Sequence, residues 1–139
     1  MKTSLIAGAA VAAALVPAAV ATGDGMPGAH RPPGHPAPAG MRVALHVTAD
    51  RMAGHNLHVT TKGFRWAPQR ASGAHRAGEG HAHLYVDGKK QARLYGAWYH
   101  LGDLAKGRHT IRVTLNGNDH GDYVRDGRAV GASRTVTVR

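Results

Sequence analysis

The sequence predicts an all-β fold, an immunoglobulin-like antiparallel β-sandwich of roughly six to seven strands in residues 41–139. Apolar residues alternate with polar ones in short runs throughout this region, which is the pattern of half-buried strands. Turn signals separate the runs every ~8–12 positions, a spacing typical of sandwiches and barrels. No helical period competes over a comparable length, so one all-β domain accounts for the region.

The apolar face of each strand follows from this alternation, because side chains two apart along a strand lie on the same face. In chain order, the predicted faces are Val43, Leu45 and Val47; Leu57 and Val59; Ala82, Leu84 and Val86; Ile111, Val113 and Leu115; and a closing strand from Thr135 to Val138. Asp87-Gly88 is a hairpin signal, since both positions tolerate positive φ, and it predicts a β-hairpin from His81 to Tyr95. Asp126-Gly127 predicts a second turn between two later runs.

The N-terminal residues predict export. Lys2 precedes an apolar run from Leu5 to Val16, and the small residues Ala19-Val20-Ala21 follow it, which is the order of a secretory signal peptide. We therefore expect a signal peptide in residues 1–21, cleaved near Ala21, and a secreted or extracytoplasmic product. The apolar run is shorter than the ~20 residues that a membrane-spanning helix needs, so we expect no membrane span.

Residues 22–40 are rich in Pro and Gly and lack a periodic apolar pattern, so they predict a disordered Pro/Gly/His linker. Met26, His30 and His35 lie in this segment. They are compatible with a copper-collecting segment and equally with a simple proline-rich spacer.

Composition narrows the classes of partner. The formal net charge of +10 favours acidic partners, among them the anionic polymers of a cell envelope. Nucleic acid is not expected, because the basic residues are mostly single arginines and Lys89-Lys90 is the only adjacent pair. The chain has no Cys, which excludes disulfides and thiolate metal sites.

The eleven histidines are the unusual feature of the sequence. His81 and His83 are two apart on a predicted strand, on the face opposite Ala82, so both imidazoles point the same way. Neutral imidazole is a favoured ligand of copper and zinc. We expect His100 and His120 to complete a metal site with this pair, and the alternative is that these histidines are ordinary solvated residues.

Two carboxylates lie next to these candidates. Asp119 precedes His120 and is a further ligand or the group that fixes an imidazole tautomer from outside the coordination sphere. Glu79 is either a general base on metal-bound water or the ion-pair partner of a nearby Arg, and the ion pair is the favoured interpretation.

The alternation along the predicted strands also assigns a face to three further histidines. His46 and His58 face outward and would join the His81–His83 pair if all four lay on one sheet. His109 has the parity of the core and is interpreted as structural.

Several segments together resemble a family of small exported bacterial proteins of unassigned function. They are Gly78 to Gly88 with its Gly-x-Gly-His-x-His-Leu core, Arg93 to Gly96, Trp98 to His100, and Leu115 to His120 with its Asn-Asp-His element. The resemblance covers roughly Val43 to Val138. The chain is also similar to a second exported family with a Gly-Thr-Gly-His-His-His-Leu core. This chain has Glu79 where that family has Thr. Neither family supplies an activity, and the resemblance implies that His81, His83, His100 and His120 belong to a family motif.

These observations predict a secreted β-sandwich that binds a transition metal, copper or alternatively zinc, for binding, storage or delivery. A non-catalytic envelope or adhesion module that holds anionic polymer is the second hypothesis. A copper or zinc metalloenzyme of dismutase-like type is the third. A serine hydrolase is not expected, because neither Ser72 nor Ser133 has a nucleophile-elbow pattern around it.

Overall fold

The structure is a computed structural model that describes residues 33–139. The predicted signal peptide and residues 22–32 of the predicted linker lie outside the described residues. The strands are β1 (His35–Pro36), β2 (Arg42–Ala49), β3 (His55–Lys62), β4 (Arg65–Trp66), β5 (Glu79–Val86), β6 (Lys89–Leu94), β7 (Trp98–Leu101), β8 (Gly107–Asn116), β9 (Tyr123–Arg125), β10 (Arg128–Ala129) and β11 (Gly131–Val138). A 3₁₀ turn at Pro68–Arg70 follows β4. Within residues 33–139 no helix is long and apolar enough to cross a membrane.

The strands form three sheets. The largest runs β11-β8-β5-β4, with β6 also paired to β5; the second runs β2-β3-β7, and the third β1-β9-β10. Most pairs are antiparallel, and β1 with β9 and β4 with β5 are the parallel ones. The prediction of an all-β, sandwich-type fold is therefore confirmed, while the specific immunoglobulin-like arrangement stays a prediction.

The hydrophobic core lies between the two larger sheets. Leu45, Leu57 and Val59 are fully buried on the β2-β3-β7 side. The facing side chains come from β5 and β8, and the predicted apolar residues of these strands are all buried, namely Ala82, Leu84, Val86, Ile111, Val113 and Leu115. The alternation of the sequence therefore identified the inner faces of four strands.

The predicted hairpin is confirmed as β5-β6. Asp87 and Gly88 adopt φ values of 50° and 80°, the positive pair that a two-residue turn needs to follow the twist of its strands. Asp126-Gly127 joins β9 to β10 through the same conformation, with φ values of 51° and 72°. Both Asp-Gly signals were therefore correct.

The fold begins before the predicted boundary at Met41. The strand His35–Pro36, inside the segment interpreted as a disordered linker, pairs with Tyr123–Val124. The N–H of His35 donates to Asp122 O and the N–H of Ala37 to Val124 O, each at 2.8 Å, and Pro36 lies between the two donors. In a parallel edge strand only alternate N–H groups face the neighbour, so the missing N–H of Pro36 costs no hydrogen bond. The proline that suggested a linker is compatible with an edge strand at this position.

Candidate metal centre

β5 places two histidines inside the protein. It is flanked by β8 on one side and β6 on the other, and its residues are buried on both faces of the sheet. His81 is 0% exposed and His83 4% exposed. Their side chains lie on the same face, as the alternation predicts, with ring centroids 4.9 Å apart. The structure thus excludes the interpretation of these two residues as solvated surface histidines.

A glycine lets the loop after β8 approach this face closely. Gly80 has a φ of 154°, and a Cβ at this position would lie 1.9 Å from the backbone oxygen of Asn116. Only a residue without a side chain allows this contact. In the Gly-x-Gly-His-x-His sequence, Gly80 therefore makes the close backbone contact with the end of β8, and the two histidines follow it directly.

That loop delivers a third histidine. Asn116 bridges to Asp122 across the loop, and the N–H of Gly117 donates to Gly121 O at 2.8 Å. The side chain of Asn116 donates to His120 O at 3.2 Å and to Asp122 Oδ1 at 2.7 Å. His120 itself adopts the left-handed conformation, with a φ of 70°, which a non-glycine residue keeps only when its surroundings hold it there.

Three ring nitrogens converge where the loop meets β5. His81 Nε2 lies 3.0 Å from His83 Nε2 and 3.0 Å from His120 Nδ1. One ligand atom from each of the three residues lies within 4.8 Å of the other two. A tetrahedral ion with metal–nitrogen bonds of about 2.0–2.1 Å separates its ligand nitrogens by roughly 3.3 Å. The spacing of the three nitrogens therefore fits a single ion.

Burial and nearby cations keep these imidazoles neutral. Burial, followed by the positive charges around it, lowers the pKa of His81 to about 4. Burial and then the charge of Lys90 lower the pKa of His83 to about 3. The pKa of His120 is lowered by burial and by Arg93 and Lys90. At neutral pH the three rings are uncharged, which is the form that binds a metal ion.

One hydroxyl group and one amine group lie next to the three imidazoles. Ser72 Oγ lies 3.0 Å from His120 Nε2, so this nitrogen can carry the proton and leave the Nδ1 lone pair facing the other histidines. Lys90 Nζ lies 3.2 Å from His83 Nε2 and donates to it. His81 Nδ1 is buried without a hydrogen-bond partner among the described residues. Sequence reasoning missed Ser72 and Lys90, since neither carries a metal-ligand pattern.

The structure does not bring His100 to this site. His100 lies on β7, opposite Asn56 of β3, and its Nδ1 lies 3.0 Å from Asn56 Oδ1. Its side chain is 53% exposed. The sequence placed His100 at a strand end but could not show which sheet β7 would join. The expectation that His100 would complete the site is therefore not met by the geometry.

The remaining outward histidines also lie elsewhere. His46 and His58 are cross-strand partners in the β2-β3-β7 sheet, so the condition for their joining the site is not fulfilled. The ring of His58 stacks on Trp98 at 4.0 Å. His109 lies between Asp87 and the Ala105 carbonyl at 2.7 and 2.8 Å, in agreement with a structural role.

Glu79 is an ion-pair residue. Its carboxylate is buried and accepts from Arg65, from Arg70 at 2.8 Å and from Asn118 Nδ2 at 3.1 Å. These contacts, the one from Arg65 above all, lower the pKa of Glu79 to about 2. The interpretation favoured from the sequence, a charged partner for a nearby arginine, matches this geometry better than a general base.

A second histidine group lies around Asp119, the residue before His120. His35, His75 and Asp119 also offer ligand atoms within 4.8 Å of one another, and each is partly buried. His35 Nε2 donates to both oxygens of Asp119 at 2.9 Å. The rings of His35 and His75 are stacked at 3.5 Å with an interplanar angle of 7°.

The stacked rings of His35 and His75 make this group less suited to a metal ion than the group of His81, His83 and His120. A metal ion binds an imidazole in the plane of the ring, and two parallel stacked rings cannot both place one ion in their planes without moving apart. The carboxylate of Asp119 already accepts a hydrogen bond from His35. Burial alone would raise the pKa of Asp119, but the hydrogen bonds from His35 and from the Gly121 N–H lower it. We therefore describe this group as the brace that ties β1 to the loop, and the group of His81, His83 and His120 as the candidate metal centre.

No protein-family model, curated protein or solved structure matches this chain.

Proposed function

We propose that this chain is an exported metal-binding protein that holds a copper ion between His81, His83 and His120 and serves to bind, store or deliver it. The observation that supports the proposal is the convergence of three buried or half-buried imidazole nitrogens on one point. Zinc is the alternative ion. The order of charged, apolar and small residues at the N-terminus supports export.

The crowding of the nitrogens supports an ion rather than a hydrogen-bonded network. His81 Nε2 lies 3.0 Å from two other nitrogens. A ring nitrogen has one in-plane position, filled by a proton or a lone pair, so it satisfies only one of these contacts with good geometry. A cation among three lone pairs satisfies all of them together.

The ligand set supports copper or zinc over other metals. Three neutral imidazoles without carboxylate or thiolate ligands suit Cu(II) and Zn(II), and magnesium and calcium prefer oxygen ligands. The affinity order of divalent ions places copper above zinc for the same nitrogen ligands. Three protein ligands also leave a coordination position open, which suits transfer of the ion to a partner.

Calorimetric titration of the protein with Cu(II) and Zn(II) tests the proposal. We expect saturable binding of about one equivalent of copper. The decisive variant is His120→Asn, because Asn accepts the left-handed backbone conformation of this position and removes only the imidazole. We expect this variant to bind copper at least about a hundredfold more weakly, as one of three ligands is lost.

The matched control is His100→Asn, which removes an imidazole from the other sheet and should leave copper affinity unchanged. Equal loss in both variants would show scattered surface binding and contradict the proposal. Absence of copper and zinc binding, together with salt-sensitive binding to an anionic polymer, would replace it with the envelope-module hypothesis.

A further inference from the structure

We propose that the metal at this centre is bound together with an oxyanion, a carboxylate or a phosphate, which occupies the groove beside His83 and His120. This inference rests on the proposed metal site and names the class of ligand that completes it. The first support is the groove itself, a cavity of about 840 Å³ that has both histidines in its wall.

The groove carries the charges that an oxyanion requires. Lys90 and Arg112 contribute two positive side chains to its wall. Asp122 is the carboxylate in the same wall, and it accepts a hydrogen bond from Asn116 at 2.7 Å. Tyr85 and Ser133, which carry neutral hydroxyl groups, also line the groove. Among the charged residues of the lining, two cations stand against one carboxylate.

Charge balance supplies the second support. Three neutral imidazoles supply no negative charge to offset the charge of a divalent ion. Lys90 Nζ lies 3.2 Å from His83 Nε2, so its positive charge stands beside the converging nitrogens. This charge repels a bare metal ion, and an anion bound beside the metal offsets that repulsion.

Lys90 is placed to hold such an anion. Its Nζ lies 3.2 Å from His83 Nε2, one of the three converging nitrogens. When the metal takes the lone pair of this nitrogen, the ammonium group of Lys90 is released to donate to another acceptor nearby. An oxygen of an anion in the groove provides this acceptor through a charge-assisted hydrogen bond.

Azide binding to the copper-loaded protein reports on the open coordination position, because azide bound to Cu(II) gives a visible charge-transfer absorption. The titration is made at constant ionic strength in perchlorate, a weakly coordinating salt. We expect Lys90→Met to weaken azide binding about tenfold, the effect of one charge-assisted hydrogen bond. Lys89→Met, which removes the neighbouring exposed lysine of β6, is the matched control and should bind azide as the unaltered protein does.

Competition then identifies the oxyanion. Displacement of azide by acetate assigns a carboxylate ligand, and displacement by inorganic phosphate assigns a phosphate ligand, with the copper content checked after gel filtration. Displacement by neither, or equal azide affinity in the protein and Lys90→Met, would overturn the inference while leaving the metal function intact. Failure of the protein to bind copper or zinc at all would overturn both.

Discussion

Asp119 and His120 are consecutive residues that engage two different histidine groups: Asp119 accepts from His35 Nε2 at 2.9 Å, and His120 Nδ1 lies 3.0 Å from His81 Nε2. One short loop therefore connects the N-terminal strand to the candidate metal centre. The position of His120 depends on a hydrogen bond made by the residue before it.

Replacement of Asp119 by Asn should weaken metal binding although no ligand is removed. The neutral amide bonds His35 less strongly, so the loop holds His120 less firmly. We expect copper affinity to fall about tenfold, the lower end of the range for groups that orient metal ligands. Calorimetry measures the change. Asp50→Asn, in the turn between β2 and β3, is the control, and an equal effect there would rule out a positioning role for Asp119.

Replacement of Gly80 by Ala should destabilise the whole domain. The added Cβ would lie 1.9 Å from the backbone oxygen of Asn116. The Cβ is attached directly to the backbone of β5, so the clash is relieved only if one of the two backbone segments moves. We expect the free energy of unfolding to fall by about 3 kcal/mol, measured by urea denaturation. Gly96→Ala is the control, because a Cβ there meets no atom within 4 Å. A small effect at Gly80 would mean that the loop sits farther from β5.

Metal binding should persist in mildly acidic solution. The pKa values of His81 and His83, about 4 and about 3, lie well below the ordinary value of 6.5, so at these two rings protons do not compete with the metal until the pH approaches 4. We expect copper affinity to change little between pH 7 and pH 5. An affinity that already falls steeply from pH 6.5 would show ordinary exposed imidazoles.

The same shifts fix the acid stability of the metal-free protein. Between pH 6.5 and about pH 3 the unfolded chain binds protons at His81 and His83 that the folded chain excludes. Stability is therefore complete above pH 6.5 and falls as the pH decreases through this window. Bound metal should reduce the loss, and urea midpoints with and without zinc measure the difference.

His109 should contribute to stability with the opposite sign. The hydrogen bond to Asp87, then that to the Ala105 carbonyl, raises the pKa of His109 above 6.5. Its contribution is present below pH 6.5 and is lost as the pH rises through the raised pKa. Asp87→Asn keeps the positive φ of the turn and removes the charge, so this alkaline loss should become smaller in urea denaturation. An unchanged pH profile would contradict the pairing.

The sequence predicted the part of the site that depends on local geometry. Alternation along a strand placed His81 and His83 on one face without any knowledge of the fold. The alternation of Ile111, Val113 and Leu115 predicted β8, and the loop that follows this strand carries His120. Two-residue periodicity and turn chemistry act over a few residues, and for this reason they can be read directly from the chain.

The features that the sequence did not predict depend on contacts between residues far apart in the chain. His100 was included because it lies at a strand end, but β7 pairs with β3 and not with β5. His75 and Ser72 were missed because they lie in a loop without periodicity, and only the contact of this loop with the loop after β8 shows their role. His35 was assigned to a linker because two parallel hydrogen bonds around a proline leave no trace in the hydrophobic pattern.

The complete burial of His81 has a consequence for the route of the ion. His83 and His120 line the groove and His81 does not, so an ion that arrives through the groove meets His83 and His120 first and His81 last. Release reverses this order. A partner that takes the ion from the groove side therefore competes with these two histidines, and His81 lies on the far side of the ion, where the partner has no access.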